Sequence, residues 1–161
     1  DRELHLVATL DGQPGWHIYA PLQIDNGPLV LVNRGYVPGN LVDPSSRLQT
    51  LATGRQTVTG LLRLSEKPGS FVPANDAGRN EWYWRDLAAM YHSIGPAAVT
   101  LPSPLVSIDA AVSASPSFPR GGTTRLVFPN RHLEYALTWF ALAATLAAFS
   151  AFAGWRRRQS R

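Results

Sequence analysis

From Ala136 to Trp155 the chain reads ALTWFALAATLAAFSAFAGW, twenty residues without a charge, bounded by Glu134 and Arg156. At a rise of about 1.5 Å per residue such a run makes a helix of about 30 Å, the thickness of a bilayer's hydrocarbon core. Tyr135 and Trp139 fall at one end of it and Trp155 at the other, where amphipathic rings favour the interface. Arg156, Arg157 and Arg158 follow at once. A helix apolar on every face and closed by such a cluster predicts a transmembrane span rather than the core helix of a soluble domain. Along it, His132, Ala136, Trp139, Ala143, Ala147, Ser150 and Gly154 recur at steps of three or four and share one face. Small residues on such a face let a second helix backbone approach closely, so the span is expected to have a partner in the membrane. A coding bias toward Ala would leave the same residues.

Upstream the period changes. Trp16–Ile24 and Leu29–Tyr36 are apolar, β-prone runs on either side of Asp25-Asn26-Gly27, a sequence suited to a tight hairpin turn. Pro21 and Pro28 flank the turn and suggest edge positions, because Pro cannot donate to a sheet ladder. Thr57–Leu64 alternates as a third strand, whereas residues 37–56 and 65–80 carry Pro, Gly, Ser, Asn and Asp and read as loops. Trp82, Tyr83 and Trp84 lead into RDLAAMYHS, where Leu87, Met90, Tyr91 and Ile94 have helical spacing; this predicts a short helix stopped by Gly95-Pro96. Val99–Leu101 and Leu105–Val112 fit strands, and Gly121-Gly122 a turn before a last strand over Thr123–Phe128. The expected fold is therefore mainly β: an antiparallel, α+β domain with one short helix over residues 1–128. Residues 129–155 are the membrane-entry segment and transmembrane helix, and 156–161 a basic tail.

Charge then fixes an orientation. Of fifteen basic side chains, four arginines stand in the last six residues, and the remaining eleven match eleven acids. A balanced body argues against a nucleic-acid binder. Positive residues beside a span stay in the cytoplasm, so the tail is expected inside and the β-rich domain outside. For a bacterium that is the periplasmic face of the inner membrane, and for a mitochondrion the intermembrane space. Arg is used almost to the exclusion of Lys, with Lys67 alone, and Ala is abundant, which suits a GC-rich bacterial source. The chain begins at Asp1, and an N-terminal transmembrane helix is expected to be missing ahead of it. Without Cys there are no disulfides, thiolate zinc sites, thiol nucleophiles or c-type haem attachment, and a single Met leaves no sulfur set for copper(I).

No HExxH, GxSxG, P-loop or dinucleotide-binding glycine pattern occurs, so the chain is not expected to be an enzyme. His17, in an alternating strand, reads as structural or surface-facing, and His5 and His92 carry no stronger signal. Trp82, Tyr83 and Trp84 read as core packing before they read as a ligand platform. His132 differs, because it heads the membrane helix with Arg131 before it. Helix N-termini favour the neutral, metal-ligating form of an imidazole. An arginine at that level can pair with a propionate or a lipid phosphate. By these arguments alone the pair is either a ligand site or an interfacial anchor.

Three stretches carry a resemblance: GWHIYAPL with VLVNRGYVP at residues 15–22 and 30–38, NEWYWRDLAAM at 80–90, and PNRHLEYALTWFALAATL at 129–146. In this order they closely resemble the surfeit locus protein one family (Shy in yeast), assembly factors for haem-copper cytochrome c oxidase. The resemblance covers essentially the whole chain. It implies an extracytoplasmic domain between two transmembrane helices, with both termini inside. It also implies a role in handing haem a to oxidase subunit I, with haem a synthase as a further partner. The family's haem-ligating histidine at the outer end of the second span matches His132. Arg131, Tyr135 and Trp139 join it as candidate haem contacts by their places around that residue. Axial ligation by His132, propionate pairing by Arg131 and a farnesyl tail along the apolar helix would hold haem a transiently. The alternative is a membrane-anchored scaffold that stabilises new subunit I without carrying haem.

Overall fold

The computed structural model describes residues 3–50, 54–94, 100–111, 117–124 and 131–159. They fall into two units, Asp1–Thr124 and Arg125–Arg161, each taken here by itself. The first is a six-stranded sheet built from β1 (Leu4–Leu10), β2 (Gln13–Gln23), β3 (Leu29–Pro38), β4 (Gly60–Leu64), β5 (Glu81–Trp82) and β6 (Val106–Ala110), with helix α1 (Leu87–Ile94). Its spatial order is β4-β6-β3-β2-β1-β5.

Two hairpins start the fold. β1 has no counterpart in the sequence-based expectations, although its signal is local: Asp11-Gly12 adopts φ of 51° and 80°, the two left-handed residues of a tight hairpin turn. β2 and β3 form the expected hairpin, with Tyr19 opposite Asn33 and Gln23 opposite Leu29. In its turn the left-handed residue is Asn26, at φ 51°, while the Gly27 N–H donates to the Ile24 carbonyl at 3.0 Å. β2 lies between β1 and β3, but β1 pairs with it only from Gln13 to Tyr19, so Pro21 stands past that ladder at a locally unpaired edge, as expected. It is tolerated because Leu31, opposite it, directs its N–H away to Tyr91 Oη at 2.9 Å, so this pair asks for no donor from Pro21.

The sheet is mixed rather than antiparallel throughout. β3 pairs with β6, and β1 with β5, in parallel. A parallel pair needs a long crossover, and the chain between β3 and β6 supplies one that contains β4, β5 and α1. Residues 65–80 are irregular as expected, but residues 37–56 hold two short 3₁₀ segments, Gly39–Leu41 and Pro44–Thr50. Val99, the Gly95-Pro96 stop, Val112 and residues 125–128 of the expected last strand lie outside the described residues, while Thr100, Leu101, Thr123 and Thr124 are in no strand, contrary to expectation.

The expected short helix is present, and its four spaced apolar residues, Leu87, Met90, Tyr91 and Ile94, are all buried. Asp86 caps it, its Oδ1 accepting the Ala89 N–H at 3.1 Å. These side chains pack with Leu4, Tyr19, Leu31 and Trp82 into one core. Tyr91 also bridges the sheet, accepting from Leu31 N–H and donating to the Val106 carbonyl at 2.7 Å. The second unit is α2, a 28-residue helix from His132 to Gln159 with no buried residue. It is long and apolar enough to cross a membrane and continues through Arg156–Arg158, whose charges suit the negative end of a helix dipole.

The Asn33-Arg34-Gly35-Tyr36 stretch is where backbone and packing constrain each other most. Ile18 opposes Gly35 and Tyr19 opposes Asn33, so Arg34 is the extra residue of a β-bulge. Gly35 adopts φ 122°, and a Cβ there would lie 2.1 Å from the Arg120 carbonyl oxygen. That carbonyl accepts the Tyr36 N–H at 3.0 Å, so it cannot retreat without breaking a bridge. Gly35→Ala is therefore expected to destabilise the domain by about 3 kcal/mol or more. Urea unfolding followed by Trp fluorescence measures this, and an unchanged midpoint would contradict the packing described.

Candidate functional site

His132 is the first residue of α2, and Arg131 immediately precedes it. The Tyr135 N–H donates to the Arg131 carbonyl at 3.1 Å, which closes the first helical turn on that residue. Residues 132, 135 and 139 are spaced by three and four, so His132, Tyr135 and Trp139 lie along one face, about 10 Å from first to last. All three are exposed, as is Arg131; Tyr135 and Trp139 show 65% and 70% of their surface. Beyond this turn, as far as Trp155, the helix surface carries no charge and is mainly apolar, including Leu137, Phe140 and Leu142. Thr138 and Thr145 turn their hydroxyls back to the carbonyls of Glu134 and Ala141, each at 2.8 Å, so neither hydroxyl is left for lipid to satisfy. The arrangement combines one imidazole, one guanidinium and two aromatic rings at the head of an apolar rod. That set can take an amphiphile with an anionic end and a metal within reach of a nitrogen ligand.

The sheet domain holds a second concentration of polar groups, this one buried. Asp109 on β6 accepts from Asn33 Nδ2 at 3.0 Å through Oδ1 and from Thr124 Oγ1 at 2.8 Å through Oδ2. Arg85, 4% exposed, places Nη1 at 3.9 Å from the same carboxylate and donates to Tyr19 Oη at 3.2 Å. Its Nε donates to the Leu64 carbonyl at 3.2 Å and its Nη2 pairs with Glu66. Burial works against the guanidinium's charge, but Tyr19, Glu66 and Asp109 outweigh it. Burial likewise pushes the Tyr19 phenol up to about 12, so it stays a neutral acceptor for Arg85. Asn33 completes the set by accepting the Gly35 N–H at 3.0 Å. Every charge here has a partner, which is the signature of a structural network rather than an open reaction site. Among the described residues no three His, Cys, Asp or Glu side chains come together as a metal site.

His17 borders this network. Its Nδ1 is buried without a hydrogen-bond partner, although the Gly35 backbone and the Asn33 side chain lie near the ring. Burial lowers its pKa, and Asp109 offsets part of that. His5 is likewise lowered, by burial first, and lines a shallow cleft of about 340 Å³ with Glu3, Pro44, Asn80, Ser93 and Ile94. Glu3 is not available to a ligand there, being held by Arg34 at 3.1 Å and by Arg47. Trp82 is core, 1% exposed, with Nε1 donating to Asn80 Oδ1 at 3.1 Å, while Tyr83 and Trp84 are half-buried. The three aromatics therefore form no open platform. Sequence reasoning did not single out Asp109, Asn33 or Arg85. The available signal was one acid inside a short β-prone run, Val106–Ala110.

Comparison with known proteins places these features in context. The sequence profile of the SURF1 family matches residues 1–144. Surfeit locus protein 1 of Takifugu rubripes is 39% identical over 135 residues, covering 83% of this chain and 53% of that protein. The Homo sapiens protein of that name is 39% identical over 145 residues, 89% of this chain and 46% of its own length. The Gallus gallus protein is 42% identical over 138 residues, 84% and 42% respectively. The chain thus spans about half the length of the curated relatives it matches.

The buried histidine makes a prediction about acid. Because the folded chain holds His17 below its ordinary value, the unfolded chain takes up that proton first as pH falls. Stability is full above the unfolded value of about 6.5 and declines below it until the folded-state value is passed. The urea midpoint is expected to fall between about pH 7 and pH 5. That decline should shrink in His17→Gln, and an identical decline in both proteins would refute the assignment.

Proposed function

This chain belongs to the SURF1 family, and we propose that it is a membrane-anchored assembly factor for haem-copper cytochrome c oxidase. In this reading it binds haem a at the head of α2 and helps its insertion into subunit I, working beside haem a synthase. It is a carrier rather than a catalyst. The observation that carries the reading is the placement of His132: an exposed imidazole at the first turn of an apolar helix, with Tyr135 and Trp139 on the same face. Arg156–Arg158 at the far end support a cytoplasmic tail and a periplasmic β domain at a bacterial inner membrane.

Haem a is cargo here, an iron macrocycle with an anionic edge and a long apolar tail. His132 supplies a nitrogen ligand that nothing in α2 buries, and Arg131 a guanidinium for the carboxylates. Tyr135 and Trp139 offer flat apolar surface next to the imidazole. A single protein ligand at a wet interface gives the weak, exchangeable holding that delivery requires. The scaffold alternative draws on a different feature: β4 is an edge strand, and Leu62 and Leu64 on it are 69% and 62% exposed. An open apolar edge of this kind can receive another protein.

The absorption spectrum of protein purified from cells making haem a separates the two. His132→Ala is expected to lose most bound haem a at near-normal yield, and more than Arg131→Ala loses. A coordinate bond to iron is harder to replace than one charge-assisted hydrogen bond. A full haem a spectrum in His132→Ala would end the carrier reading and leave the scaffold.

A further inference from the structure

The connection after β4 contains Lys67-Pro68-Gly69-Ser70-Phe71-Val72-Pro73. Gly69–Val72 is a tight turn, closed by the Val72 N–H donating to the Gly69 carbonyl at 3.3 Å. Its third residue, Phe71, adopts φ 67°. Turns with a left-handed third residue ordinarily place Gly or Asn there, and a bulky ring at positive φ is strained. Phe71 is also fully exposed, at 105% of its reference surface, and Val72 beside it is 37% exposed. Nothing in the fold is gained by this choice, because the ring packs on no core and Gly would relieve the backbone. Strain that folding does not require points to a use for the side chain.

We propose that the Lys67–Pro73 turn inserts Phe71 and Val72 into the interfacial layer of an anionic phospholipid bilayer, with Lys67 on the headgroup phosphates. The chemistry of the turn is that of an interfacial anchor. Pro68 and Pro73 restrict the backbone on both sides, so little freedom is lost on insertion. Lys67, the single lysine, is exposed and has no carboxylate partner among the described residues. Neighbouring Glu66 is already engaged by Arg85 and Arg63, so the turn presents net positive charge next to an apolar ring. One ring and one lysine bind a membrane too weakly to hold a free protein. The proposal therefore rests on α2 as a membrane span. Only residues 125–131 connect Thr124 to that helix, at most about 25 Å of extended chain. Such a tether gives a weak contact a high effective concentration of lipid. It is also why a bilayer is favoured over a protein as the occupant.

The absence of Cys makes the test direct. Ser70→Cys carries a single environment-sensitive fluorophore, and the whole chain is reconstituted into vesicles of phosphatidylcholine with or without phosphatidylglycerol. Lipids with a doxyl group on the acyl chain report contact whichever way the protein inserts, and flotation reports anchoring by α2 separately. With phosphatidylglycerol the label is expected to shift to the blue and be quenched by doxyl lipid. Phe71→Gly, which relieves the backbone and leaves the fold at least as stable, should lose both signals, and Phe71→Trp should restore them. Lys67→Gln should weaken quenching only in the anionic vesicles. A floating protein whose label stays aqueous in both vesicles, or whose quenching survives Phe71→Gly, overturns the proposal while leaving the anchor intact. A protein that does not float loses the α2 reading and this proposal with it.

Discussion

A carboxylate buried in a sheet is costly unless it is met from several directions, and Asp109 is met from four. Asn33 comes from β3, Arg85 from the approach to α1, Arg63 from β4 at 4.0 Å, and Thr124 from the chain leaving the sheet. The network therefore fixes three things together. It holds the parallel pairing of β3 with β6, it sets where α1 begins on the sheet, and it ties Thr124 to β6. A slip of one residue in β6 would turn Asp109 to the opposite face and leave Arg85 buried without it.

The same network explains what the sequence made legible. The β2–β3 hairpin and α1 are local, and turn chemistry and 3.6-residue spacing reveal them. The parallel pairing is not local, since it depends on a long crossover that no period in the sequence announces. Binary patterning was misleading at β6: Val106, Ile108 and Ala110 look inward and Ser107 and Asp109 outward. In the fold Ser107 and Asp109 are the more deeply buried residues, at 0% and 6% exposure. Arg85 was obscured in the same way, by lying among aromatics that looked like the whole of the core. His132 was legible for the opposite reason, standing at the boundary of a long uncharged run where an ionisable group has few ordinary roles.

The two units divide the chemistry accordingly. In the domain, Asn33, Arg34, Gly35 and Tyr36 are all committed: to Asp109, to Glu3, to the Arg120 backbone, and to the Gln13 and Pro14 carbonyls at 3.1 Å each. These residues belong to the stretches that carry the family likeness, and their work is architectural. At the head of α2, by contrast, His132, Arg131, Tyr135 and Trp139 are exposed and lie in no core. Substitutions in the domain are therefore read first as losses of fold, and substitutions at the helix head, under the proposed function, as losses of ligand contact.

Asp109 and Arg85 act as one unit, and a double-mutant cycle measures that coupling. Asp109→Leu and Arg85→Met each leave the other charge buried, which costs about 3–5 kcal/mol when a buried pair is broken. The double variant, with both charges replaced by apolar groups, is expected to lose far less than the sum, a coupling of at least about 2 kcal/mol in urea unfolding. Additive losses would contradict this, and would mean instead that Asn33, Thr124 and Arg63 hold Asp109 without Arg85.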